Sequence, residues 1–311
     1  MTLQTNSEST EHVLVTGGSK GIGFHIARAF ARRGRYSVSI LARSKKDLET
    51  AKDTLQKEFS DVCINSVAAD TTDPVSLERA LQEAVTLVGP IDVLVCNAGL
   101  SIPKRCIDTT MEEYETQAQV NYLGTVRTAK LVLPSMLERG RGHIIFVSSV
   151  MGVLGFAGYS SYAPTKWAIR GFADCLYNEL QGTGIGISVA YPPDTDTPGF
   201  QEENEHKSEL CVLVNDALGS KTFTPETVGS RIVSMYERGR YHLTPPDLGA
   251  SMLISTMTSL SPRVFNVLFQ IILAPILVIV SSVLHGTMNR VARRYNQTDR
   301  QQQQQTEKKL H

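Results

Sequence analysis

Short apolar runs alternate with helix-like segments along the first two thirds of the chain. The runs include HVLVT from His12, SVSIL from Ser37, VLVC from Val93, HIIFV from His143 and ISVAY from Ile187. Continuous apolar strands that alternate with helices are typical of a parallel sheet covered on both faces. With right-handed crossovers, this pattern predicts an α/β fold of the Rossmann type, a doubly wound parallel sheet.

The ends of the predicted strands carry the polar motifs of the chain. TGGSKGIG, LARS, AAD, NAG, VSS and YPPDTDT each begin where a predicted strand ends. In doubly wound folds, ligands bind outside the carboxyl ends of the strands. We therefore expect these six motifs to meet along one edge of the sheet and to form a single site.

The composition limits the classes of partner. Lysine plus arginine and aspartate plus glutamate number 31 each, so the net charge is zero and no nucleic-acid partner is expected. The five cysteines are scattered without a CxxC pair, which favours reduced thiols and no metal site. We predict one large domain over residues 11–245, preceded by a disordered N-terminus over residues 1–10. A homo-oligomer is left open.

The glycine-rich stretch after the first strand predicts a loop that binds the phosphates of a dinucleotide. Glycines let the backbone approach a pyrophosphate closely, and a helix N-terminus supplies free N–H donors. The same residues match the G-x-S-x-G elbow of hydrolases, but no later histidine has a suitable setting. The expected cofactor-binding residues of this loop are Gly17, Ser19, Lys20, Gly21, Ile22 and Gly23.

The end of the second strand indicates which nicotinamide cofactor binds. Enzymes that use NAD usually have an acidic residue there, whereas this chain has Arg43, followed by Lys45 and Lys46. A guanidinium pairs with a 2′-phosphate, which a carboxylate would repel. We therefore expect NADPH or NADP+ as the cofactor. The alternative is that Arg43 is an ordinary surface charge.

A YxxxK motif supplies the candidate catalytic residues. Of the ten tyrosines, Tyr162 alone has a lysine four residues later, and Tyr162 and Lys166 would share one helix face. Ser149 ends a predicted strand thirteen residues earlier. Together with TGxxxGxG, NAG at Asn97 and Asn121, this set resembles the short-chain dehydrogenase/reductase family over roughly residues 12–243.

The resemblance implies carbonyl reduction, with Ser149, Tyr162, Lys166 and Asn121 as catalytic residues. Tyr162 would donate a proton to the carbonyl oxygen and Ser149 would orient that oxygen. Lys166 would hold the ribose and, with oxidised nicotinamide, lower the pKa of Tyr162 from its ordinary value near ~10. Asn121 would position a water molecule that links Lys166 to bulk solvent. The further cofactor contacts implied are Asp70, Asn97, Tyr162, Lys166, Thr195 and Thr197.

The loop YPPDTDTPGF after the sixth strand has Pro193 where most of the family has glycine. This loop, with SSYAPTKWAIRGFAD before it, resembles a lipid-acting branch of the family. That resemblance implies NADPH-dependent reduction of a long-chain keto-amine lipid at the cytosolic face of the endoplasmic reticulum membrane. We expect residues 194–224 to form a lid whose acids face the substrate amine. These acids are Glu202, Glu203 and Glu205; Asp194 and Asp196 have no assigned role.

The C-terminal part of the chain has a long apolar run over residues 264–284. No Asp, Glu, Lys or Arg occurs between Arg263 and Arg290, and a membrane-spanning helix needs about 20 apolar residues. We expect residues 246–295 to be a membrane-associated region. A span, a re-entrant segment bent at Pro275 and an interfacial helix remain open. Residues 296–311, with QQQQQ, are predicted to be a disordered tail.

Two other functions fit parts of the sequence. A membrane-bound reductase of a steroid, a retinoid or another long-chain carbonyl would have the same fold and chemistry, with a different pocket. A catalytically silent NADPH-binding regulator would need no proton relay. The complete set of Ser149, Tyr162, Lys166 and Asn121 argues against a silent regulator.

Overall fold

Seven parallel strands form one sheet in the structure, a computed structural model that describes residues 10–219, 221–258 and 267–310. The strands are β1 (Glu11–Thr16), β2 (Tyr36–Ala42), β3 (Ile64–Ala68), β4 (Val93–Cys96), β5 (Gly142–Val147), β6 (Ile185–Ala190) and β7 (His242–Leu243). Their order is β3-β2-β1-β4-β5-β6-β7, so the winding reverses between β1 and β4. This confirms the predicted Rossmann-type sheet, and its reversal point marks the expected ligand edge.

Helices connect the strands and cover the sheet. Several begin at caps that the sequence supplies: the side chain of Ser44 accepts a hydrogen bond from Asp47 N, and Asp73 caps the helix that starts at Pro74. The α-helices are α1 (Gly21–Ala31), α2 (Lys45–Glu58), α3 (Pro74–Val88), α4 (Met111–Gln117), α5 (Gly124–Arg139), α6 (Ala163–Glu179), α7 (Pro198–His206), α8 (Glu209–Leu218), α9 (Pro225–Glu237), α10 (Leu248–Met257) and α11 (Val267–Leu310).

The sheet is buried on both faces, which explains the continuous apolar runs. Successive residues of a strand point to opposite faces, and β1 follows this rule. Leu14 belongs to the apolar core on one face, with Leu94 and Phe146. Val13 and Val15 belong to the core on the other face. Burying each such side chain contributes about 1.5–3 kcal/mol, so the strands hold the ligand edge on a rigid base.

The C-terminal helix α11 packs against the segment that was predicted to be the lid. Met288 of α11 is buried with Leu210 and Val214 of α8, and Tyr295 packs on the same cluster. Residues 296–310 continue this helix, whereas the sequence analysis predicted a disordered tail. Glutamine, lysine and arginine favour helices, and this propensity outweighs the low complexity of the segment.

The predicted membrane-associated region is only partly described. Residues 259–266 lie outside the described residues, and they include the start of the apolar run 264–284. Over the described part of the chain, no helix combines the length and the apolar character needed to cross a membrane. The predicted disordered N-terminus, residues 1–10, also lies outside the described residues except for Thr10.

Candidate active site

The glycine loop turns from the end of β1 into α1. Gly17 and Gly21 have φ angles of +64° and +58°, which other residues rarely adopt. A Cβ atom on Gly23 would lie 2.2 Å from the carbonyl oxygen of Gly17, so Gly23 lets α1 begin close beneath the loop. The side-chain amide of Asn97 donates to the carbonyl oxygens of Thr16 at 3.1 Å and Gly17 at 3.3 Å. The loop is therefore fixed to the end of β4.

A cavity of about 1170 Å³ runs along the carboxyl edge of the sheet. Its volume slightly exceeds the ~300–1,000 Å³ of most ligand pockets, so it has room for a dinucleotide and a second ligand. Gly23 and Asn121 lie behind its wall. The other predicted site residues line it: Gly17, Ser19, Lys20, Gly21, Ile22, Arg43, Asp70, Asn97, Ser149, Tyr162, Lys166, Thr195 and Thr197.

The end of the cavity near β2 and β3 is lined by two cations, Arg43 and Lys20, and by two acids, Asp47 and Asp70. Arg43 is exposed there, and Lys20 Nζ lies 3.1 Å from the Asp47 carboxylate. A hydrogen bond from Lys20 holds the pKa of Asp47 below its ordinary value. Lys45 and Lys46 do not line the cavity, although the sequence placed them beside Arg43. An exposed guanidinium and an exposed ammonium beside a glycine loop fit the phosphates of a dinucleotide.

Ser149, Tyr162 and Lys166 line the same cavity as the glycine loop and the lid. Ser149 follows β5 and forms a hydrogen bond with Tyr162, which directly precedes α6. Lys166, one turn into α6, is buried and donates from Nζ to the carbonyl oxygen of Val147 at 3.1 Å. Its Nζ lies 5.6 Å from the centre of the Tyr162 ring. The missed neighbour Ser148 donates to the carbonyl oxygen of Lys166 at 2.8 Å.

Burial controls the protonation of this group. It raises the pKa of Tyr162 above its ordinary value, and the hydrogen bond from Ser149 opposes this rise. Burial also lowers the pKa of Lys166 to about 8. The predicted lowering of the Tyr162 pKa by Lys166 together with oxidised nicotinamide stays a prediction; in the protein alone, desolvation of the phenolate is the largest cause of the shift. Tyr162 holds its proton at neutral pH.

Asn121 lies in a π-helical segment, Ala118–Leu123, between α4 and α5. Its Oδ1 accepts a hydrogen bond from Leu100 N at 2.8 Å, and its Nδ2 donates to Leu100 O at 2.9 Å and Thr165 Oγ1 at 3.0 Å. The side chain is fully buried and joins the loop after β4 to α6. These contacts make Asn121 a positioning residue for the helix that carries Lys166. Its predicted role with a water molecule stays a prediction.

The loop after β6 lies against the glycine loop. A Cβ atom on Gly21 would come within 3.2 Å of the Thr197 side chain. Thr197 caps α7 by accepting a hydrogen bond from Phe200 N at 3.1 Å. Thr195 is buried and donates to the carbonyl oxygen of Pro193 at 2.7 Å. Both hydroxyls thus hold the shape of the loop, whose residues line the cavity beside Tyr162.

A buried polar network lies under the lid. The hydroxyl of Tyr159 donates to Glu203 Oε1 at 2.6 Å, and Lys207 Nζ lies 3.6 Å from the same oxygen. Glu202 and Glu205, the other predicted lid acids, are exposed. Neither Tyr159 nor Lys207 was predicted from the sequence to belong to the site. The spacing of Glu203 and Lys207 at i and i+4 on one helix was the available signal.

The far end of the cavity is apolar. Leu154 and Phe156, from the segment between β5 and α6, line it. Leu253 of α10 and Val280 and Leu284 of α11 line it as well. The C-terminal helix therefore forms part of the cavity wall, which the sequence did not indicate.

Comparison with known proteins places these features in a family. Residues 11–208 match the family model described as short chain dehydrogenase. A 3-ketodihydrosphingosine reductase from Dictyostelium discoideum is 36% identical over 284 residues, which cover 86% of this chain and 83% of the relative. A 3-dehydrosphinganine reductase from Danio rerio is 35% identical over 274 residues, covering 84% of this chain and 81% of the relative.

A solved structure shares the fold. The alcohol dehydrogenase from the archaeon Thermococcus sibiricus, complexed with 5-hydroxy-NADP, superposes with a TM-score of 0.63 and 26% sequence identity. The match covers 73% of this chain and 90% of that structure.

Proposed function

This chain belongs to the short-chain dehydrogenase family, and we propose that it reduces 3-oxosphinganine (3-ketodihydrosphingosine) to sphinganine with NADPH, in sphingolipid synthesis. The observation that carries the proposal is the meeting of Ser149, Tyr162 and Lys166 in a cavity whose far end is apolar. Two relatives, which match more than four fifths of this chain, are named as reductases of 3-ketodihydrosphingosine or 3-dehydrosphinganine.

The chain's own residues handle the carbonyl oxygen and the proton. Tyr162 holds its proton because burial raises its pKa, so it is a proton donor at neutral pH. The ketone oxygen accepts hydrogen bonds from Tyr162 and Ser149, which fix its direction. As the carbonyl carbon gains a hydride, its oxygen takes the phenol proton and becomes the hydroxyl of the alcohol. Lys166 then faces the tyrosinate with its ammonium group, which restrains the charge until a proton returns.

The cofactor contacts follow from the two loops beside β1 and β2. NADPH supplies the hydride when it is bound. The glycine loop and the start of α1 would hold its pyrophosphate through backbone N–H groups. Arg43 and Lys20 would pair with the 2′-phosphate, since both line the cavity at the end of β2. The related archaeal dehydrogenase, which is complexed with an NADP derivative, supports this choice of cofactor.

The apolar end of the cavity suits the alkyl chain of a long-chain ketone. Leu154, Phe156 and Leu253 would contact the chain near the carbonyl, and Val280 and Leu284 would contact it further out. Burying apolar surface contributes about 0.8 kcal/mol per methylene group, so chain length would dominate substrate affinity. A short ketone would bind weakly even with correct hydrogen bonds to Tyr162 and Ser149.

We also propose that the protein works on a membrane, at the cytosolic face of the endoplasmic reticulum. Val278, Ile279 and Val283 of α11 are 62–65% exposed, next to the two α11 residues that line the cavity. A helix with exposed apolar side chains can enter the headgroup region of a bilayer. Sedimentation with liposomes tests this: wild type should bind, and a variant with Val278→Asp and Val283→Asp should stay in the supernatant. Equal sedimentation of both proteins would contradict the proposal.

The decisive experiment follows NADPH oxidation by the purified protein. We expect turnover with 3-oxosphinganine at least tenfold faster, in kcat/KM, than with any of a panel of steroid and retinoid ketones. If the protein prefers a ketone of the panel, that ketone class replaces 3-oxosphinganine as the proposed substrate, and the proposed NADPH-dependent ketone reduction stands. NADPH binding without turnover of any ketone would identify a silent regulator instead.

A further inference from the structure

Three carboxylates line the catalytic cavity on its lid side: Glu202 and Glu203 of α7, and Asp194 in the loop after β6. Glu202 is exposed, whereas Glu203 and Asp194 are partly buried. The Glu203 side chain is 14% exposed and accepts the hydroxyl of Tyr159 at 2.6 Å. The Tyr159 ring lies 6.1 Å, centre to centre, from the ring of Tyr162. Tyr159 therefore connects Glu203 to Tyr162, the proposed proton donor.

The cation beside these carboxylates is Lys207, which does not line the cavity. Its side chain is 5% exposed, and its Nζ lies 3.6 Å from Glu203 Oε1 and 4.5 Å from the centre of the Phe200 ring. Asp194 forms a side-chain hydrogen bond with Asn215. Lys207 is one ammonium beside the two carboxylates of Glu203 and Asp194, so these three groups carry one net negative charge when both acids are ionised. Glu202 and Lys221 also line the cavity.

The net negative charge of Glu203, Asp194 and Lys207 affects the phenol of Tyr162. Burial raises the pKa of Asp194, and Lys207 opposes that rise. Glu203 and Asp194 in turn both raise the pKa of Tyr162 by charge repulsion. Tyr162 becomes a tyrosinate when it gives up its proton, so an uncompensated carboxylate beside it opposes the reaction. A cation bound against Glu203 and Asp194 would remove that opposition.

We propose that Glu203, supported by Asp194, binds the protonated amine of the substrate and so selects keto-amines over plain ketones. The inference rests on the proposed function. In 3-oxosphinganine the amine is on the carbon next to the carbonyl, so a carbonyl held by Tyr162 and Ser149 places the ammonium against the adjoining wall. A carboxylate in a site shielded from water binds such a cation more strongly than an exposed one does.

The test compares 3-oxosphinganine with 1-hydroxyoctadecan-3-one, which has the same chain and ketone without the amine. Wild type should have at least a tenfold higher kcat/KM for the amino ketone. Glu203→Gln should raise KM for the amino ketone about tenfold, equivalent to about 1.4 kcal/mol, and leave KM for the plain ketone within about twofold. Glu205→Gln, an exposed acid on the same helix that does not line the cavity, is the matched control and should change neither KM.

Each outcome decides between the two proposals. If Glu203→Gln changes both ketones equally, Glu203 shapes the lid and the inference is overturned while the reductase function stands. If wild type reduces both ketones equally well, the inference fails without any variant. NADPH binding serves as the check that each variant is folded. If Glu203→Gln does not bind NADPH, the same comparison of KM for the two ketones is made with Asp194→Asn. If wild type reduces neither ketone, the proposed function fails and the inference fails with it.

Discussion

Two lysine–carboxylate pairs lie beside the cavity, one at its cofactor end and one under the lid, in opposite environments. At the cofactor end, Lys20 and Asp47 lie 3.1 Å apart, with side chains 60% and 40% exposed. At the lid end, Lys207 and Glu203 lie 3.6 Å apart, with side chains 5% and 14% exposed. The shorter pair is in water, and the longer pair is in the protein interior.

This difference determines what each pair can do. Water and salt screen exposed charges, so the Lys20–Asp47 pair contributes little to stability and can exchange partners with an arriving phosphate. Charges under the lid are poorly solvated, so removing one partner leaves the other uncompensated at high cost. The cofactor end is thus suited to reversible recognition of an anion, and the lid end to a fixed charge pattern beside the catalytic group.

The largest effect should come from the residue at the junction of the two ends. Tyr162→Phe removes the proton donor and keeps the ring, so ketone reduction should fall by about 10²–10⁴-fold. NADPH binding, measured by fluorescence, should stay within about twofold because the cofactor end is unchanged. Turnover within about tenfold of wild type, roughly 1.4 kcal/mol of barrier, would remove Tyr162 from the mechanism.

The second prediction compares the two lysines directly. Lys207→Met leaves a buried carboxylate without its ammonium, so the free energy of unfolding in urea should drop by about 3 kcal/mol. Lys20→Met removes an exposed lysine and should leave the urea midpoint unchanged. Equal midpoints for the two variants would show that burial does not distinguish the two ends of the cavity.

The pH profile tests the buried lysine between the two ends. Lys166 has its pKa lowered to about 8, so it is charged below that pH and becomes neutral above it. Tyr162, with a raised pKa, keeps its proton over this range. The value of kcat/KM for NADPH should therefore be level below about pH 8 and fall by about tenfold per unit above it. A level profile up to pH 9.5 would contradict the assignment.

The smallest effect is expected at the exposed end. Arg43→Ala should raise KM for NADPH about tenfold at low salt, equivalent to about 1.4 kcal/mol, and leave KM for NADH unchanged. The effect should shrink in 0.5 M salt because the guanidinium is exposed. Lys46→Ala, at a neighbouring exposed lysine outside the cavity, is the control and should change neither KM. An undiminished effect in salt would mean that the cofactor shields this end from water.

The sequence predicted the parallel sheet and the meeting of the polar motifs at its edge, whereas the catalytic roles of the residues there stay predictions. The apolar runs from His12, Ser37, Val93, His143 and Ile187 appear as β1, β2, β4, β5 and β6, because a short apolar run is a local signal. Ser149, Tyr162 and Lys166 meet as expected because strand ends share one edge of the sheet. The structure differs at the predicted disordered tail, because residues 296–310 continue α11.

The alternation of strands and helices and the edge at which the polar motifs meet were determined by the sequence alone, since each depends on residues a few positions apart or on a topological rule. The tertiary structure decided which lid acid is buried, that Lys207 lies behind it, and that α11 closes the apolar end of the cavity. These outcomes depend on how separate elements pack, and packing sets both solvent access and the strength of every charge in the site.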